Sequence, residues 1–474
     1  MRPGPNTRSK LFPTLPFSTT ERKSTLMLNH LLFEESLPDA QPAVVTRDQT
    51  TNWAALREQA QSVFSAHEEL GKRRVGLSFR PAADSYAALA ALDRRACDVF
   101  LLDANLPFEE ALRLSERLKL GAFLHAGNSR QLPNFEVHEL PDEEKWSGSG
   151  SVTILTSGST GEPKAARHSW ESIVRPVKKG AEIRAPKWLL TYRPNLYAGL
   201  QVMLQCFADR GTLVLPDPHM DPQSTVQFMY DAGVQFVSAT PSYWRRLLMF
   251  SDAELLRRVP LVQITLGGEA IDQLILDKLR HHFPKARLVH IYATTELGRC
   301  FSVSDGKEGF PASYLHTAQP GAAELKVHEG ELLVHSPNSM RMYDPLSPQQ
   351  PSASNWFPTG DMVEIRDSRV YFVGRNSDMI NVAGSKVFPI EVERVIRIIP
   401  GVSDVRVFGK TSSIAGELVA CEIVANPDQD REVLKEIVVR TCRAQLNSQQ
   451  QPRLIKLVDR IDLSSAGKTL RTRT

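Results

Sequence analysis

Apolar residues in this chain recur at two spacings that take turns along its length. Residues 53–68 carry them at helical spacing, 74–79 form a short strand-like run, and 85–95 return to a helical, alanine-rich pattern. Residues 98–102 again read as a strand and 109–118 as an amphipathic helix. Such alternation predicts a parallel sheet layered with helices, because each parallel strand needs a crossover to bring the chain back. Residues 128–150 are polar and end in Ser147-Gly148-Ser149-Gly150, the composition of a connector. Beyond it a helix is expected over 169–179, strands over 188–192 and 212–215, and helical spacing over 200–206. Helices over 222–232, 242–250 and 273–282 then interleave with strands over 236–239, 262–266 and 288–292.

The pattern changes near residue 323. From there to 373, short strands and turns predict a smaller β subdomain. The remainder reads as a separate unit, with helices over 390–399 and 431–446 and strands over 402–408, 418–424 and 454–458. The expected fold class is α/β: a large layered N-terminal domain over 27–374 that includes the β subdomain, then a small α+β domain over 375–474. Residues 1–26 are basic and rich in Pro, Ser and Thr, with Glu21 their only acid, and lack the apolar stretch of a secretion signal. They are expected to be a disordered tail, with Met27 as an alternative start.

Composition narrows the function classes. A chain of 474 residues with 42% hydrophobic and 23% charged residues has the make-up of a soluble globular protein. Its net charge of +3 is too small at this length to imply a nucleic-acid partner, and no apolar run reaches membrane-spanning length. Five scattered cysteines without metal-ligand spacing imply reduced thiols and a cytoplasmic location.

Candidate chemistry concentrates in five stretches. Thr156-Ser157-Gly158-Ser159-Thr160-Gly161-Glu162-Pro163-Lys164 follows a strand-like run. Its glycines let backbone N–H groups turn toward an anion, its hydroxyls add donors, and Lys164 adds a compact charge, so a polyphosphate suits it. A solvated Ser/Gly loop that binds nothing is the alternative. It is not a Walker loop, since Gly158 and Gly161 stand too close, and Gly467-Lys468-Thr469 imitates that loop's end with Asp462 where its first glycine belongs. Tyr292-Ala293-Thr294-Thr295-Glu296 places a hydroxyl and a carboxylate after a strand, as a magnesium ligand or as a helix cap. Trp356-Phe357-Pro358-Thr359-Gly360-Asp361 ends in a carboxylate that suits ribose hydroxyls or a plain Asx turn. The stretch 374–386 has the glycines, arginine and polar residues of a hinge, and 463–468 sets Lys468 on a Gly/Ser loop.

In this order and spacing, the five stretches resemble those of the adenylate-forming superfamily, which includes acyl- and aryl-CoA synthetases and adenylation domains. The resemblance covers roughly residues 28–471; 156–164 matches T-S-G-S-T-G-x-P-K and 356–361 matches W-F-x-T-G-D. Gly330-Glu331-Leu332 and Gly267-Gly268-Glu269 fit weaker patterns. It implies that Thr156, Ser157, Gly158, Ser159, Thr160, Gly161 and Lys164 hold the outer phosphates of ATP. Thr295 would contact the α-phosphate, Glu296 would ligate Mg²⁺, and Tyr292, Asp361 and Arg375 would complete the nucleotide site. Lys468 would bridge the substrate carboxylate and the α-phosphate. A mobile C-terminal domain would then rotate, exchanging Lys468 for the Gly384 loop as the pantetheine thiol arrives.

Departures from the family pattern bear on the acid. Ala293 replaces a glycine bordering the acyl pocket, Ala165 replaces the glycine after the loop lysine, and Trp170 stands where histidine is common. Ser377 and Asn381 alter the hinge. Gly267, Gly268, Tyr192, Arg193, Asn195 and Tyr197 are the other candidate pocket residues, and the last four point to an aromatic or polar carboxylic acid, with a structural carboxylate as the alternative partner of Arg193. The aspartate that holds an amino acid's amine is missing. The implied activity is ATP-dependent activation of a small-molecule carboxylic acid and transfer to coenzyme A. The alternatives are loading of an acyl or peptidyl carrier protein's phosphopantetheine and a non-catalytic nucleotide-binding homologue.

Overall fold

Arg74–Phe79 and Asp98–Asp103 are buried on both faces and pair in parallel, Arg74 opposite Asp98. Strands covered on both faces read as near-continuous apolar runs, which is how these two announced themselves. They lie at the centre of one of four sheets. The computed structural model describes residues 28–33, 39–126, 135–141, 146–156, 164–178, 183–317, 322–343, 356–412, 416–462 and 469. The tail expected over 1–26 lies outside them.

The sheet around Arg74–Phe79 has seven strands and is closed by antiparallel edges, Phe135–Glu139 on one side and Lys164–Ser169 with Met342–Tyr343 on the other. A second sheet of eight strands is parallel through Arg287–Thr294, Gln263–Gly267, Phe236–Ala239, Lys187–Leu190, Thr212–Val214 and Pro42–Val45. Between the two lies the helix Ala83–Arg94, whose Ala87, Ala88, Leu89, Ala90 and Ala91 are all buried. A helix apolar all round belongs inside, and alanines let the layers approach it closely. Its core takes Leu77 and Val99 from one sheet and Trp188 and Leu213 from the other. Each buried Leu or Val side chain there contributes about 1.5–3 kcal/mol relative to exposure.

Helices of the second half start on side chains that accept from the first turn. Asp221, Thr240, Asp252 and Asp272 each cap one, accepting from the N–H three residues on, a bond worth about 1 kcal/mol. A third, antiparallel sheet is built from Phe310–Pro311, Arg369–Arg375, Phe357–Arg366, Glu331–His335 and Glu324–His328, the β subdomain expected from the sequence. The chain leaves it at Arg375, makes one turn over Asn376–Asp378, and enters a fourth sheet at Ile380. That sheet, with helices Pro389–Arg397 and Arg431–Gln445, has a core drawn from its own residues, among them Val392, Val407, Ile423 and Val438. The α/β class with a smaller α+β C-terminal unit therefore stands.

Two local expectations change. Phe135–Glu139, inside the expected connector, is an edge strand paired with Ala122–Ala126. Residues 164–169, expected to lead into a helix from 169 to 179, form a strand, and the helix that follows is only Trp170–Val174. In both cases pairing with a distant neighbour decides the conformation, and a weakly patterned edge gives little warning of it.

Candidate active site

The strands Ser151–Thr156 and Lys164–Ser169 pair in strict register, ending with Thr156 opposite Lys164. The candidate phosphate loop is therefore the tip of a hairpin, and Ser157, Gly158, Ser159, Thr160 and Gly161 on it lie outside the described residues. Under the hairpin is a buried charge cluster. Asp98 accepts from Ser151 Oγ at 2.6 Å and Thr153 Oγ1 at 3.2 Å, and meets Arg167 at 2.9 Å and Arg74 at 3.6 Å. Removing Asp98 would take a buried carboxylate from two buried guanidiniums and an acceptor from Ser151 and Thr153, so the cluster fixes the hairpin's base. Ala165, where the family has glycine, is fully buried in a core that includes Phe100 and Leu102.

Thr295 and Glu296 follow the strand Arg287–Thr294 at its C-terminal end. Their turn is tied from two sides: His168 Nε2 donates to the Thr295 carbonyl at 2.7 Å, and Met340 N–H donates to the Glu296 carbonyl at 2.7 Å. His168 is fully buried, and burial lowers its pKa to about 4 even though the bond to Thr295 opposes that change. It is thus a neutral donor at physiological pH. No local motif marks it, because its partner is 127 residues away.

Tyr292 lies stacked between Phe301 and Phe372, each ring centre 5.2 Å away. Its hydroxyl donates to Asp361 Oδ2 at 2.5 Å, while Asp361 Oδ1 meets Arg375 Nε at 2.9 Å. Asp361 and Arg375 are directly paired across antiparallel strands, and Arg375 also donates to the Thr359 carbonyl at 3.0 Å. Burial and then the Asp361 charge push the Tyr292 hydroxyl well above its ordinary pKa, so it remains a donor. The three nucleotide-site candidates are brought together, with Tyr292 on the strand that leads into Thr295.

Most of the pocket candidates gather at neighbouring strand ends, where open α/β sheets hold ligands. Tyr192 donates to the Gly267 carbonyl at 3.3 Å, and Gly267 pairs with Ile291, two residues before Ala293. Tyr197 is buried and its hydroxyl accepts from the Arg299 N–H at 3.1 Å. Asn195 is also buried, and Gly268 has φ +84°, a conformation that favours glycine. Arg193 turns to Asp103 on the other sheet and forms an ion pair there. Gly199 admits no side chain, since a Cβ would stand 2.1 Å from the Arg193 carbonyl oxygen.

Lys468 lies outside the described residues, but its neighbour Thr469 does not. Thr469 N–H donates to Glu269 Oε1 at 2.8 Å, and its hydroxyl is 3.3 Å from that of Ser242, whose N–H donates to Glu269 Oε2 at 3.0 Å. This contact sets Thr469 beside the loop that follows Gly267. A second attachment joins the same units: Asp272 Oδ2 accepts from Arg245 at 2.7 Å and from Arg397 at 3.1 Å. Although burial opposes it, Arg245 and Arg397 hold the Asp272 carboxyl below its usual range. Gly384 is elsewhere, in an exposed turn where an added Cβ would meet nothing within 4 Å.

The donor set fits the implied ligands. Glu296 and Thr295 offer hard oxygens, which suit Mg²⁺. Among the described residues no group of three or more His, Cys, Asp or Glu could hold a metal, so an ion here would complete its shell with phosphate oxygens and water. Among the same residues, no helix is long and apolar enough to cross a membrane.

Comparison with known proteins agrees with this layout. Residues 80–344 match the family model for AMP-binding enzymes, and residues 391–468 match the model for the AMP-binding enzyme C-terminal domain. The chain is 26% identical over 339 residues to a 2-succinylbenzoate–CoA ligase of Listeria innocua, covering 69% of this chain and 70% of that protein. It is 28% identical over 338 residues to a long-chain-fatty-acid–CoA ligase of Mycobacterium tuberculosis, covering 67% and 66%. A solved benzoate CoA ligase from Burkholderia xenovorans superposes with a TM-score of 0.77 at 17% identity, covering 94% of this chain and 99% of that one.

Proposed function

The chain belongs to the family of AMP-binding enzymes, and from that premise we propose that it is an acid–thiol ligase. It activates a carboxylic acid with ATP as an acyl-adenylate and then forms a thioester with coenzyme A. The observation that carries this reading is the convergence of three parts of the chain: the Tyr292–Asp361–Arg375 cluster, the Thr295–Glu296 turn, and the docked Thr469 beside Lys468.

In the first step Asp361 and Arg375 hold the ribose while the hairpin tip and Lys164 hold the outer phosphates. The substrate carboxylate attacks the α-phosphorus; a carboxylate–phosphorus bond forms, the bond to the bridging oxygen breaks, and pyrophosphate leaves. No general base is needed, because the nucleophile is already ionised. Lys468 and the Thr295 hydroxyl stabilise charge that builds on the α-phosphate, so positioning and electrostatics do the chemistry. Glu296 would hold Mg²⁺ beside the phosphates, where the ion would supply charge neutralisation. In the second step a thiol attacks the acyl carbon, loses its proton, and AMP departs. The C-terminal unit rotates between the steps, bringing the Gly384 turn in place of Lys468.

The test is magnesium-dependent pyrophosphate release from ATP across aryl, fatty and amino acids, with and without CoA. Release that depends on one acid, with thioester when CoA is added, is the expected result. Adenylation without a CoA thioester would redirect the second step to a carrier protein's phosphopantetheine. The Lys468→Ala variant is expected to lose adenylation while melting at the parental temperature. A parental adenylation rate in that variant would remove Lys468 from the site.

A further inference from the structure

Several arginines withdrawn from solvent in this protein have carboxylates. Arg74 and Arg167 share Asp98, Arg245 and Arg397 share Asp272, and Arg406 meets Glu422. Arg299 differs. Its backbone is fixed, with the N–H donating to Tyr197 Oη at 3.1 Å and the carbonyl accepting from Asn338 Nδ2 at 2.8 Å. Its guanidinium has neither ion pair nor hydrogen bond among the described residues. Yet the side chain is largely desolvated: burial lowers its pKa from the ordinary arginine value, with only the Tyr197 hydroxyl opposing. A half-buried guanidinium with no protein partner among the described residues keeps its fork of donors available to a ligand.

Its direction follows from a bulge. Across the antiparallel pair Arg287–Thr294 and Gly298–Val303, Tyr292 is opposite Phe301 and Ala293 is opposite Arg299, which leaves Cys300 as the extra residue. Cys300 and Phe301 both enter the core beneath the third sheet. Residues directly opposite share a face, so Arg299 turns to the face of Ala293, which packs against the core containing Tyr197. Bulges beside active sites re-aim side chains in this way. The other arginine of the region, Arg193, is neutralised by Asp103. Among the described residues, Arg299 is therefore an unpaired cation bordering the candidate pocket residues.

We propose that Arg299 is a specificity-determining residue that pairs with a second, distal carboxylate of the acid being activated, so that the substrates are dicarboxylic acids. The proposal rests on the adenylation reading above. One carboxylate faces the α-phosphate and Lys468, and the other meets the planar guanidinium, whose fork matches a carboxylate in bidentate geometry. No bond is made or broken at Arg299; it selects and holds.

The experiment compares matched acids in the pyrophosphate assay: butanoate with succinate, propanoate with malonate, and benzoate with its singly carboxylated derivatives. A diacid is expected to exceed its monoacid in kcat/KM by about 100-fold or more, and Arg299→Met is expected to bring that ratio within about fivefold. The loss should fall on KM for the acid, with KM for ATP held, and Arg299→Lys should restore part of the preference. Arg299→Met with the diacid preference intact would overturn the proposal, as would a parent enzyme that favours monoacids. A rise in KM for ATP alone would assign the guanidinium to the phosphates and overturn it equally. Pyrophosphate release driven by no acid at all would instead remove the adenylation reading, and this proposal with it.

Discussion

Replacing His168 with phenylalanine keeps most of the side chain's volume and removes its donor to the Thr295 carbonyl. Leaving a buried carbonyl without its partner costs about 1–3 kcal/mol. The sharper signature is in pH. An unfolded histidine takes up a proton near pH 6.5, whereas His168 in the folded protein stays neutral until about pH 4, held there by burial. Between those values the unfolded chain carries the extra proton, so the parent loses stability as pH falls through the window. Linkage gives about 2 kcal/mol lost between pH 7 and 5, approaching about 3 kcal/mol at pH 4. His290, whose pKa burial also lowers, contributes in the same window. Subtracting the His168→Phe variant removes that and every other shared term. Guanidinium-induced unfolding of both proteins at pH 7, 5.5 and 5 measures the difference. Adenylation should also slow by about 10- to 100-fold at pH 7, because the turn carrying Thr295 and Glu296 loses a tie. Identical pH dependence in the two proteins would show that His168 titrates freely when folded, and the reasoning would fail.

Two further outcomes test the rest of the site. Tyr292→Phe removes the hydrogen bond to Asp361, a charged acceptor, and should weaken ATP binding by about 10- to 100-fold with less effect on kcat. Calorimetric titration with ATP reads this, and parental affinity would move the nucleoside away from Tyr292. Arg397→Ala leaves Asp272 with Arg245 alone, and should slow adenylation about tenfold while sparing thioester formation from preformed adenylate. Equal losses in both half-reactions would assign the pair to folding rather than to orientation.

Much of this arrangement was legible in the sequence for a physical reason. Strands buried on both faces have no polar alternation to obscure them, so Arg74–Phe79 and Asp98–Asp103 could be read directly. Loops that must turn backbone N–H groups or present a carboxylate use glycines, hydroxyls and acids in short runs, which made 156–164 and 356–361 visible. What stayed hidden depends on pairing across long separations. His168 meets Thr295 over 127 residues and Arg397 meets Asp272 over 125, with no local pattern to signal either bond. Arg299 was missed because its direction comes from a register shift, and simple alternation cannot reveal one. Arg193 stood out as a charge in the pocket region, but only the structure shows that Asp103 satisfies it.

The helix Pro241–Phe250 holds the C-terminal unit at two places less than one helical turn apart. Ser242 shares Glu269 with Thr469, near the end of the chain, and Arg245 shares Asp272 with Arg397, at the beginning of that unit. With Arg394 also donating to the Phe372 carbonyl at 3.1 Å, these contacts make the unit a multivalent guest. While any contact holds, the others reform at high effective concentration, and once they open together none is held by more than its own weak affinity. Departure is therefore close to all-or-none, and a half-detached unit, with its lysine withdrawn but its first helix still moored, is a sparsely visited state.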